Sequence, residues 1–448
     1  MNLIKDPQHP ARNNAMVDEA VSKALRAFQE MGECSLALRY RLVEAMREAA
    51  TMHVKELSIS AAEETGLGRA EDKVKKNLLV IVKTPGPEML EPRAKSGDNG
   101  LMLTERAPHG VIGSIIPTTN PTETVINNSI AMISGGNAVV FNAHPSARKC
   151  SNRCVAILNE AIVNAGGPAN LLACVDDPTI ETAQALMRHP RIALLCVTGG
   201  PGVVQAAMLS GKKVIAAGPG NPPAVVDETA DIPKAARDIV AGASLDNNII
   251  CTSEKETIVV ASVADELKRH MIASGCVEVA GQDIERLCDV IFESRKGRHG
   301  VINKQWVGKN ACQILAQIGI QATPETRLAI CEVERDHPLV WTEQLMPVMP
   351  VVRVRDADEA IELGVACEGG RRHTATMHSR NIEKLSKMAR LINCSIFIKN
   401  GPTFAGLGMG GEGYTSFTIA SPTGEGMTSP ISFTRERRCT LVDSFRIV

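Results

Sequence analysis

Apolar side chains recur at helical spacing through the N-terminal part of the chain. Val17, Val21, Leu25 and Phe28 are three or four residues apart, which places their side chains on one face of an α-helix. A later stretch with the same pattern ends at Thr84-Pro85-Gly86-Pro87, a strong helix stop. The pattern predicts a loose start over residues 1–15, helices over 16–31, 36–61 and 70–83, and an exposed strand over 101–106.

From Gly110 onward, short β-branched runs alternate with helical patterns. Strands are predicted over residues 111–116, 138–141, 171–175, 192–197 and 213–216, with helices over 122–134, 146–165, 180–187 and 203–210. This alternation predicts an α/β fold with a parallel sheet that helices cover on both faces. In such sheets ligands bind where loops leave the carboxyl ends of the strands. Three loops are expected there, over residues 117–121, 142–145 and 198–202.

A second α/β unit is predicted to begin near Ala230. Its expected helices cover residues 235–243, 263–274, 282–293, 357–363 and 382–391, and its expected strands cover 257–261, 348–354 and 395–399. A glycine-rich passage then runs from Gly401 to Gly426, and a passage of that length inside a compact enzyme favours an active-site or interdomain loop. The chain ends with a β-like segment over 431–448.

Composition narrows the class of protein. With 448 residues, 44% of them hydrophobic and 22% charged, the chain is expected to form two or three globular domains. A formal net charge of -1 and only 3% aromatic residues argue against nucleic acid or an anionic membrane as a partner. The 13 cysteines form no C-x-x-C pair, so neither a metal site nor a disulfide framework is indicated. Unpaired cysteines and the lack of any apolar signal or membrane segment predict a soluble cytoplasmic protein.

Cys251 is the candidate nucleophile. Asp246-Asn247-Asn248 interrupts a helical pattern, and the cysteine then follows two isoleucines and precedes Thr252 and Ser253. Backbone N–H groups at such a junction can stabilise a thiolate, which is the reactive form. A cysteine beside two isoleucines is also typical of simple apolar packing, and both interpretations stay open on spacing alone.

The loop over residues 198–202 is a candidate phosphate-binding turn. It lies between a predicted strand and a predicted helix, where backbone N–H groups can face an anion. The loop matches neither G-x-G-x-x-G nor the P-loop pattern, so packing of a helix on the sheet is the alternative.

Five segments in order along the chain resemble the motifs of the aldehyde dehydrogenase superfamily. Residues 108–121 are similar to its P-x-G-V…P-x-N-x-P segment, and residues 136–145 to its G-N-x-V-V-x-K-P strand. Residues 198–200 resemble the T-G-S turn, residues 343–348 resemble E-I-F-G-P-V, and Cys251 falls where the family keeps its nucleophile. The resemblance implies two Rossmann-like α/β domains and a small β oligomerisation element.

The resemblance also implies site residues. Cys251 would attack the aldehyde carbon, Asn120 would donate to the oxyanion, and Glu343 would hold the nicotinamide ribose. The further implied cofactor contacts are Ile116, Pro117, Thr118, Asn142, His144, Pro145, Thr198, Gly199, Gly200, Val203, Ala217, Gly218 and Leu345, and the implied substrate contacts are Ile250, Thr252 and His373. Without the resemblance, Asn120 before Pro121 would be a turn residue and Glu343 an ordinary surface carboxylate.

Departures from the family pattern select a subgroup. Hydrolytic members carry a glutamate in an E-L-G-G segment that activates water, whereas residues 216–220 read Ala-Ala-Gly-Pro-Gly. The lysine of the G-N-x-V-V-x-K-P strand is replaced by the sequence Asn142-Ala143-His144-Pro145. Both changes resemble the CoA-acylating members, and the propionaldehyde and acetaldehyde dehydrogenases of bacterial microcompartments most of all. Residues 63–73 support that subgroup.

The implied reaction oxidises a short-chain aldehyde to acyl-CoA with NAD, through a Cys251 thioester, with CoA entering the same cleft as the dinucleotide. The implied domains are 1–94 with 109–228 for the dinucleotide and CoA, and 229–412 for catalysis, while 95–108 and 430–448 form oligomerisation strands. A homodimer or homotetramer is expected, with no metal and with microcompartment shell or cargo proteins as partners. The microcompartment location follows from the resemblance, not from any N-terminal encapsulation peptide in the sequence.

Three alternatives stay open from the sequence. A hydrolytic aldehyde dehydrogenase would give the free acid, a phosphorylating semialdehyde reductase would need a basic phosphate pocket, and an inactive scaffold would only assemble into a microcompartment. The sequence does not decide the aldehyde chain length, the physiological direction, or NAD against NADP.

Overall fold

A computed structural model describes residues 9–448, with side chains described from Arg12 onward. Its helices are α1 His9–Gly32, α2 Leu36–Met52, α3 Val54–Thr65, α4 Ala70–Lys83, α5 Pro121–Ser134, α6 Arg148–Asn164, α7 Ile180–Arg188, α8 Pro201–Met208, α9 Ile232–Ser244, α10 Ala261–Ala273, α11 Gln282–Ile291, α12 Ala311–Ala316, α13 Pro338–Trp341, α14 Ala357–Glu368 and α15 Ile382–Ile392. None of these helices, within the described range, is both long and apolar enough to span a lipid bilayer.

Over residues 9–448 the strands belong to two large sheets and three small ones. They are β1 Arg93–Gly97, β2 Gly100–Pro108, β3 Val111–Ile115, β4 Ala138–Asn142, β5 Leu172–Cys174, β6 Ile192–Thr198, β7 Lys213–Ala217, β8 Pro223–Val226, β9 Glu256–Val260, β10 Cys276–Glu278, β11 Phe292–Lys296, β12 His299–Ile302, β13 Leu328–Glu332, β14 Val348–Val354, β15 Thr374–His378, β16 Ile396–Lys399, β17 Ile419–Ala420, β18 Gly426–Met427 and β19 Thr434–Val442.

The chain divides into two compact units. The first consists of residues up to 64, 76–217 and 414–448, and the second of 65–75 and 218–413. Residues 65–75 therefore belong to the second unit, although the sequence prediction assigned them to the dinucleotide-binding domain. The predicted α/β fold class is confirmed in both units.

The first unit contains a parallel five-stranded sheet of order β5-β4-β3-β6-β7. β3 and β4 are buried at every position, which explains their short apolar, β-branched sequences. All residues of α5 are buried as well. Its two adjacent polar side chains have partners in the same unit: Asn127 Oδ1 accepts from Phe417 N at 3.1 Å, and Asn128 Oδ1 accepts from Thr418 Oγ1 at 3.0 Å.

The first unit also holds an antiparallel sheet of order β1-β2-β19. β1 is exposed along its whole length, and in β19 only Thr434 is buried. The predicted terminal β segment thus pairs with the strand predicted over residues 101–106. A short three-stranded sheet with so little covered surface gains little from burial in the isolated chain.

The second unit is built on a parallel seven-stranded sheet of order β10-β13-β14-β9-β8-β15-β16. Its first strand along the chain, β8, begins at Pro223, so the unit starts before the predicted Ala230. Helices α9 and α10 contribute to one apolar cluster with this sheet, and helices α14 and α15 contribute to another.

Two predictions for the N-terminal helices were wrong. α1 begins at His9, so residues 9–15 are helical rather than loose; residues 1–8 lie outside the described range. The helix predicted over 36–61 is two helices, α2 and α3, because His53 leaves the helical conformation with φ -100 and ψ 8. Apolar periodicity continues across such a break, and the pattern alone does not reveal it.

Candidate active site

Predicted residues gather at the carboxyl edge of the five-stranded sheet. β3 lies between β4 and β6, and the chain moves outward from β3 to β5 before it returns to β6 on the other side. Ligands of open α/β sheets bind at this type of reversal. The loop after β3 carries Ile116, Pro117, Thr118 and Asn120, while the other two loops carry residues 142–145 and 198–200. The structure brings these predicted residues to one edge of the sheet.

The loop after β6 presents backbone rather than side chains. Gly199 N donates to Ala217 O at 3.2 Å, which fastens the loop to the end of the neighbouring strand. Gly200 caps α8, Pro201 occupies its first turn, and both residues are exposed, with Val203 partly buried behind them. Backbone N–H groups at an open helix start suit a dinucleotide phosphate, so this loop fits the implied cofactor.

The loop after β4 has one buried residue with a structural hydrogen bond and two exposed residues that a ligand can reach. Asn142 is buried, and its Oδ1 accepts from Thr182 Oγ1 at 2.7 Å, so its side chain is used inside the protein. His144 and Pro145 are exposed, and His144 Nδ1 accepts from Ser146 N at 3.1 Å. Of the predicted contacts on this loop, the histidine and the proline are the ones accessible to a cofactor.

Asn120 is oriented by a buried ion pair. Lys76 Nζ donates to Asn120 Oδ1 at 2.6 Å and lies 3.0 Å from Glu123 Oε1, and both charged side chains are fully buried. Because an ammonium group only donates, the amide oxygen must face it and the amide nitrogen must face elsewhere. Asn120 Nδ2 donates to Thr119 Oγ1 at 3.2 Å. An NH₂ group has a second hydrogen, which can serve an oxyanion.

A second group of predicted residues surrounds Gly220 in the other unit. A Cβ atom at this position would lie 2.5 Å from Cys251 O and 3.1 Å from His373 Cγ. Gly220 N donates to Glu343 Oε1 at 3.2 Å. Only glycine permits this approach, so the last glycine of the Ala-Ala-Gly-Pro-Gly sequence lies beside the candidate nucleophile, the histidine and the glutamate.

Cys251 is the accessible residue of its own stretch. Ile250 and Thr252 are buried, whereas Cys251 is partly exposed. The two predicted substrate contacts next to the cysteine therefore pack into the protein, whereas Cys251 itself is partly exposed to solvent. This difference favours the nucleophile interpretation of Cys251 over the packing interpretation.

The ionisable groups near Gly220 have shifted pKa values. Burial, together with the charges of Lys255 and Arg371, lowers the pKa of His373 to about 3, so the ring is neutral at physiological pH. Its Nδ1 lies 2.9 Å from Thr374 Oγ1, and its buried Nε2 has no hydrogen-bond partner among the described residues. A neutral imidazole with a spare nitrogen can contact a substrate. Burial also raises the pKa of Glu343, against the opposite effect of Lys255.

Sequence reasoning missed the lysines that support these groups. Lys76 holds Asn120, Lys73 lies 3.0 Å from Asp246, and Lys255 donates to the turn before Cys251. A signal was present in α4, where polar residues at positions 72, 73, 76 and 77 share one side of the helix and are all buried. Among the side chains that the structure describes, from Arg12 onward, no cluster of three or more histidine, cysteine or acidic residues is suited to a metal.

Comparisons of the sequence and of the structure with known proteins point to the same family. The profile described as the aldehyde dehydrogenase family matches residues 7–421. The chain is 52% identical to acetaldehyde dehydrogenase (acetylating) EutE of Salmonella typhimurium, covering 99% of this chain and 97% of that protein. Its structure resembles Rhodopseudomonas palustris propionaldehyde dehydrogenase with bound CoA and an acylated cysteine, with a TM-score of 0.93, 47% identity, and 95% and 97% of the two chains covered.

A further solved structure comes from the Clostridium phytofermentans fucose utilisation bacterial microcompartment. It is a propionaldehyde dehydrogenase with a TM-score of 0.94 and 43% identity, covering 96% of this chain and 98% of that one. The similarity to each of these proteins extends over nearly the full length of both chains.

Proposed function

Because the chain belongs to the aldehyde dehydrogenase family, we propose that it oxidises propionaldehyde or acetaldehyde to the acyl-CoA, with coenzyme A as acyl acceptor and NAD as oxidant. The relatives that act on these aldehydes match the chain almost from end to end. The observation that carries the choice of CoA over water is the segment of residues 216–220. It has no carboxylate to activate water, and its Gly220 has no room for a side chain beside Cys251.

In the proposed reaction Cys251 attacks the aldehyde carbon as a thiolate, and Asn120 Nδ2 donates to the resulting oxyanion. A nicotinamide bound at this site would supply the hydride acceptor, and loss of hydride from the tetrahedral carbon would leave Cys251 as a thioester. The CoA thiolate attacks that thioester, which releases acyl-CoA and restores the Cys251 thiolate. The sum is aldehyde, CoA and NAD⁺ giving acyl-CoA, NADH and one proton.

Other residues would bind and orient the dinucleotide and the substrate. Gly199, Gly200 and the start of α8 would hold the dinucleotide phosphates, and Glu343 would hold the nicotinamide ribose. His373 would contact the substrate as a neutral ring. The same cleft would receive CoA after the reduced dinucleotide leaves.

The deciding experiment follows NADH absorbance with propionaldehyde and NAD, in the presence and absence of CoA. We expect sustained turnover only with CoA, and its complete loss in Cys251→Ala. Cys312→Ala is the matched control, because Cys312 is also a partly exposed cysteine of the second unit and should leave turnover intact. Equal turnover without CoA would identify a hydrolytic enzyme, and no turnover in the wild type would favour an inactive scaffold.

The proposal extends to assembly and location. The exposed strands β1 and β19 suit contact with a second copy, so we assign a homodimer or homotetramer that uses this sheet. The relative from a bacterial microcompartment supports a place inside such a compartment in the cytoplasm, with shell or cargo proteins as partners. Light scattering should give a mass of two or four chains, and removal of residues 434–448 should reduce it; an unchanged mass would exclude this sheet as the interface.

A further inference from the structure

Lys255 is a buried cation four residues after Cys251. Its Nζ donates to Asn248 O at 2.8 Å, Asn248 Oδ1 at 2.6 Å and Ile250 O at 3.2 Å. An ammonium group has three hydrogens, and all three are used within the turn that leads to the cysteine. The side chain is fully buried, a rare position for a lysine.

The turn that Lys255 holds has an unfavourable backbone conformation. Asp246, Asn247 and Asn248 have φ values of 49, 54 and 65, which is the left-handed region. Each such residue costs on the order of 1 kcal/mol or more, so three in succession require strong local support. Asn248 Nδ2 donates to Ala243 O at 2.7 Å and to Glu254 O at 2.9 Å. With Lys255, these bonds fix the path of the backbone into Cys251.

Lys255 interacts electrostatically with the Cys251 thiol and with three nearby carboxyl groups. Burial lowers the pKa of Lys255 to about 8, while negative charge on Glu343, Cys251, Glu256 and Glu254 raises it. The interaction with Cys251 is mutual, so a charged Lys255 favours the thiolate.

The neighbouring carboxyl groups compete weakly for this charge. Burial raises the pKa of Glu254 to about 7 and that of Glu256 to about 8, and it also raises the pKa of Glu343. Where Glu254 and Glu256 are protonated, they carry no negative charge and do not compete with the thiolate for the charge of Lys255. Arg371 is a second cation that, like Lys255, lowers the pKa of Glu343, whereas His373 is neutral near physiological pH.

We propose that Lys255 is a positioning residue for the reaction: it holds residues 248–250, from the end of the left-handed turn to the residue before Cys251, and its charge keeps Cys251 in the thiolate form. The inference rests on the proposed function only in taking Cys251 as the nucleophile. Lys255 itself forms no covalent bond with the substrate.

The test measures alkylation of Cys251 by iodoacetamide in the full-length protein without cofactor, from pH 5 to 10, with mass spectrometry of the Cys251 peptide. We expect the wild-type midpoint below about 8.5, the ordinary value for a cysteine. Lys255→Met should raise the midpoint by about one unit or more and slow alkylation at pH 7 about tenfold, because one pKa unit is a tenfold change in thiolate fraction. Lys255→Arg should restore the low midpoint.

Lys73→Met is the matched control. Lys73 is equally buried and pairs with Asp246 in the same turn, but the charges that act on Lys255 are those of Glu343, Cys251, Glu256 and Glu254. It should lower stability without moving the alkylation midpoint, which separates loss of structure from loss of charge.

Three results would overturn the inference: a wild-type midpoint at or above the ordinary value, an equal midpoint in Lys255→Met, or an equal shift in Lys73→Met. If Lys255→Met does not fold, Lys255→Gln replaces it. If neither variant folds, a wild-type midpoint at or above the ordinary value still overturns the inference. CoA-dependent turnover in Cys251→Ala would instead reject the proposed function, while the alkylation profile would still report the effect of Lys255.

Discussion

Asn120 shows how one buried cation fixes the direction of one amide. The sequence found Asn120 through its motif, but Lys76 lies 44 residues away and nothing local links the two side chains. The same holds for Lys255, whose partners are close in sequence but become visible only once the left-handed turn is known. Motifs identified the groups proposed to react, whereas the groups that orient them depend on tertiary contacts.

Asn120→Ala should lower kcat about 10²–10³-fold with little change in KM, since it removes one oxyanion donor that acts mainly in the transition state. Lys76→Met should lower kcat in the same direction but less, because the amide can then rotate. Steady-state kinetics at saturating CoA would measure both, with exposed Asn164→Ala as the control. A change confined to KM would show that Asn120 binds substrate without stabilising the oxyanion.

Among the elements, the buried parallel strands were the most predictable. β14 has the predicted bounds, and β3, β4, β6 and β7 differ from prediction by one residue at one end, because continuous apolar runs between turn signals leave little choice. β8, β10, β13 and β15 were missed. β8 and β10 are four and three residues long, and β15 alternates threonine with other residue types, so neither length nor composition separates them from loops.

The turn before Cys251 depends on an element far away in sequence. Lys73 on α4 and Asp246 form an ion pair at 3.0 Å with both side chains fully buried. Asp246 also accepts from Arg69 N at 2.7 Å, and its own N–H donates to Asp72 Oδ2 at 3.1 Å. Arg69 and the first turn of α4 therefore hold this turn in place.

Lys73→Met should reduce the free energy of unfolding by about 3–5 kcal/mol, since it leaves a buried carboxylate without its cation. Lys75→Met is the control on the same helix: Lys75 is largely exposed and pairs with Asp72, so its loss should cost about 1 kcal/mol or less. Denaturant unfolding of both variants would measure the difference. Equal losses would contradict a special contribution from the buried pair.

At the scale of the whole molecule, the alternation of strands and helices was sufficient to predict the fold class. Parallel strands are usually joined by a crossover helix, so a parallel sheet appears in a single sequence as strands that alternate with helices. The order of strands and the membership of residues 65–75 in the second unit were not visible, because they depend on contacts between distant segments.

Buried histidines should make the whole protein sensitive to acid. Burial lowers the pKa of His378 to about 3 from the usual 6.5, and its Nε2 has no hydrogen-bond partner in the described part of the chain. Below pH 6.5 this histidine is protonated in the unfolded state, whereas in the folded state it stays neutral until the pH reaches about 3. The stabilisation is therefore complete above pH 6.5 and is lost as pH falls towards 3.

His378→Gln should flatten the decline in unfolding free energy between pH 6 and 4 by about 1.4 kcal/mol per pH unit, the value for one proton. Denaturant unfolding at several pH values would measure the slope, with the exposed His299→Gln variant in parallel. An identical slope in wild type and His378→Gln would mean that the ring binds its proton in the folded state too.

The division of both units into separate stretches of chain has a consequence for biosynthesis. On the ribosome, Lys73 is made 173 residues before Asp246, and Asn127 is made 290 residues before Phe417. Neither unit can therefore finish folding while the nascent chain is still short. Completion is a late event, and a chain released early would display ammonium and amide groups whose partners had not yet been translated.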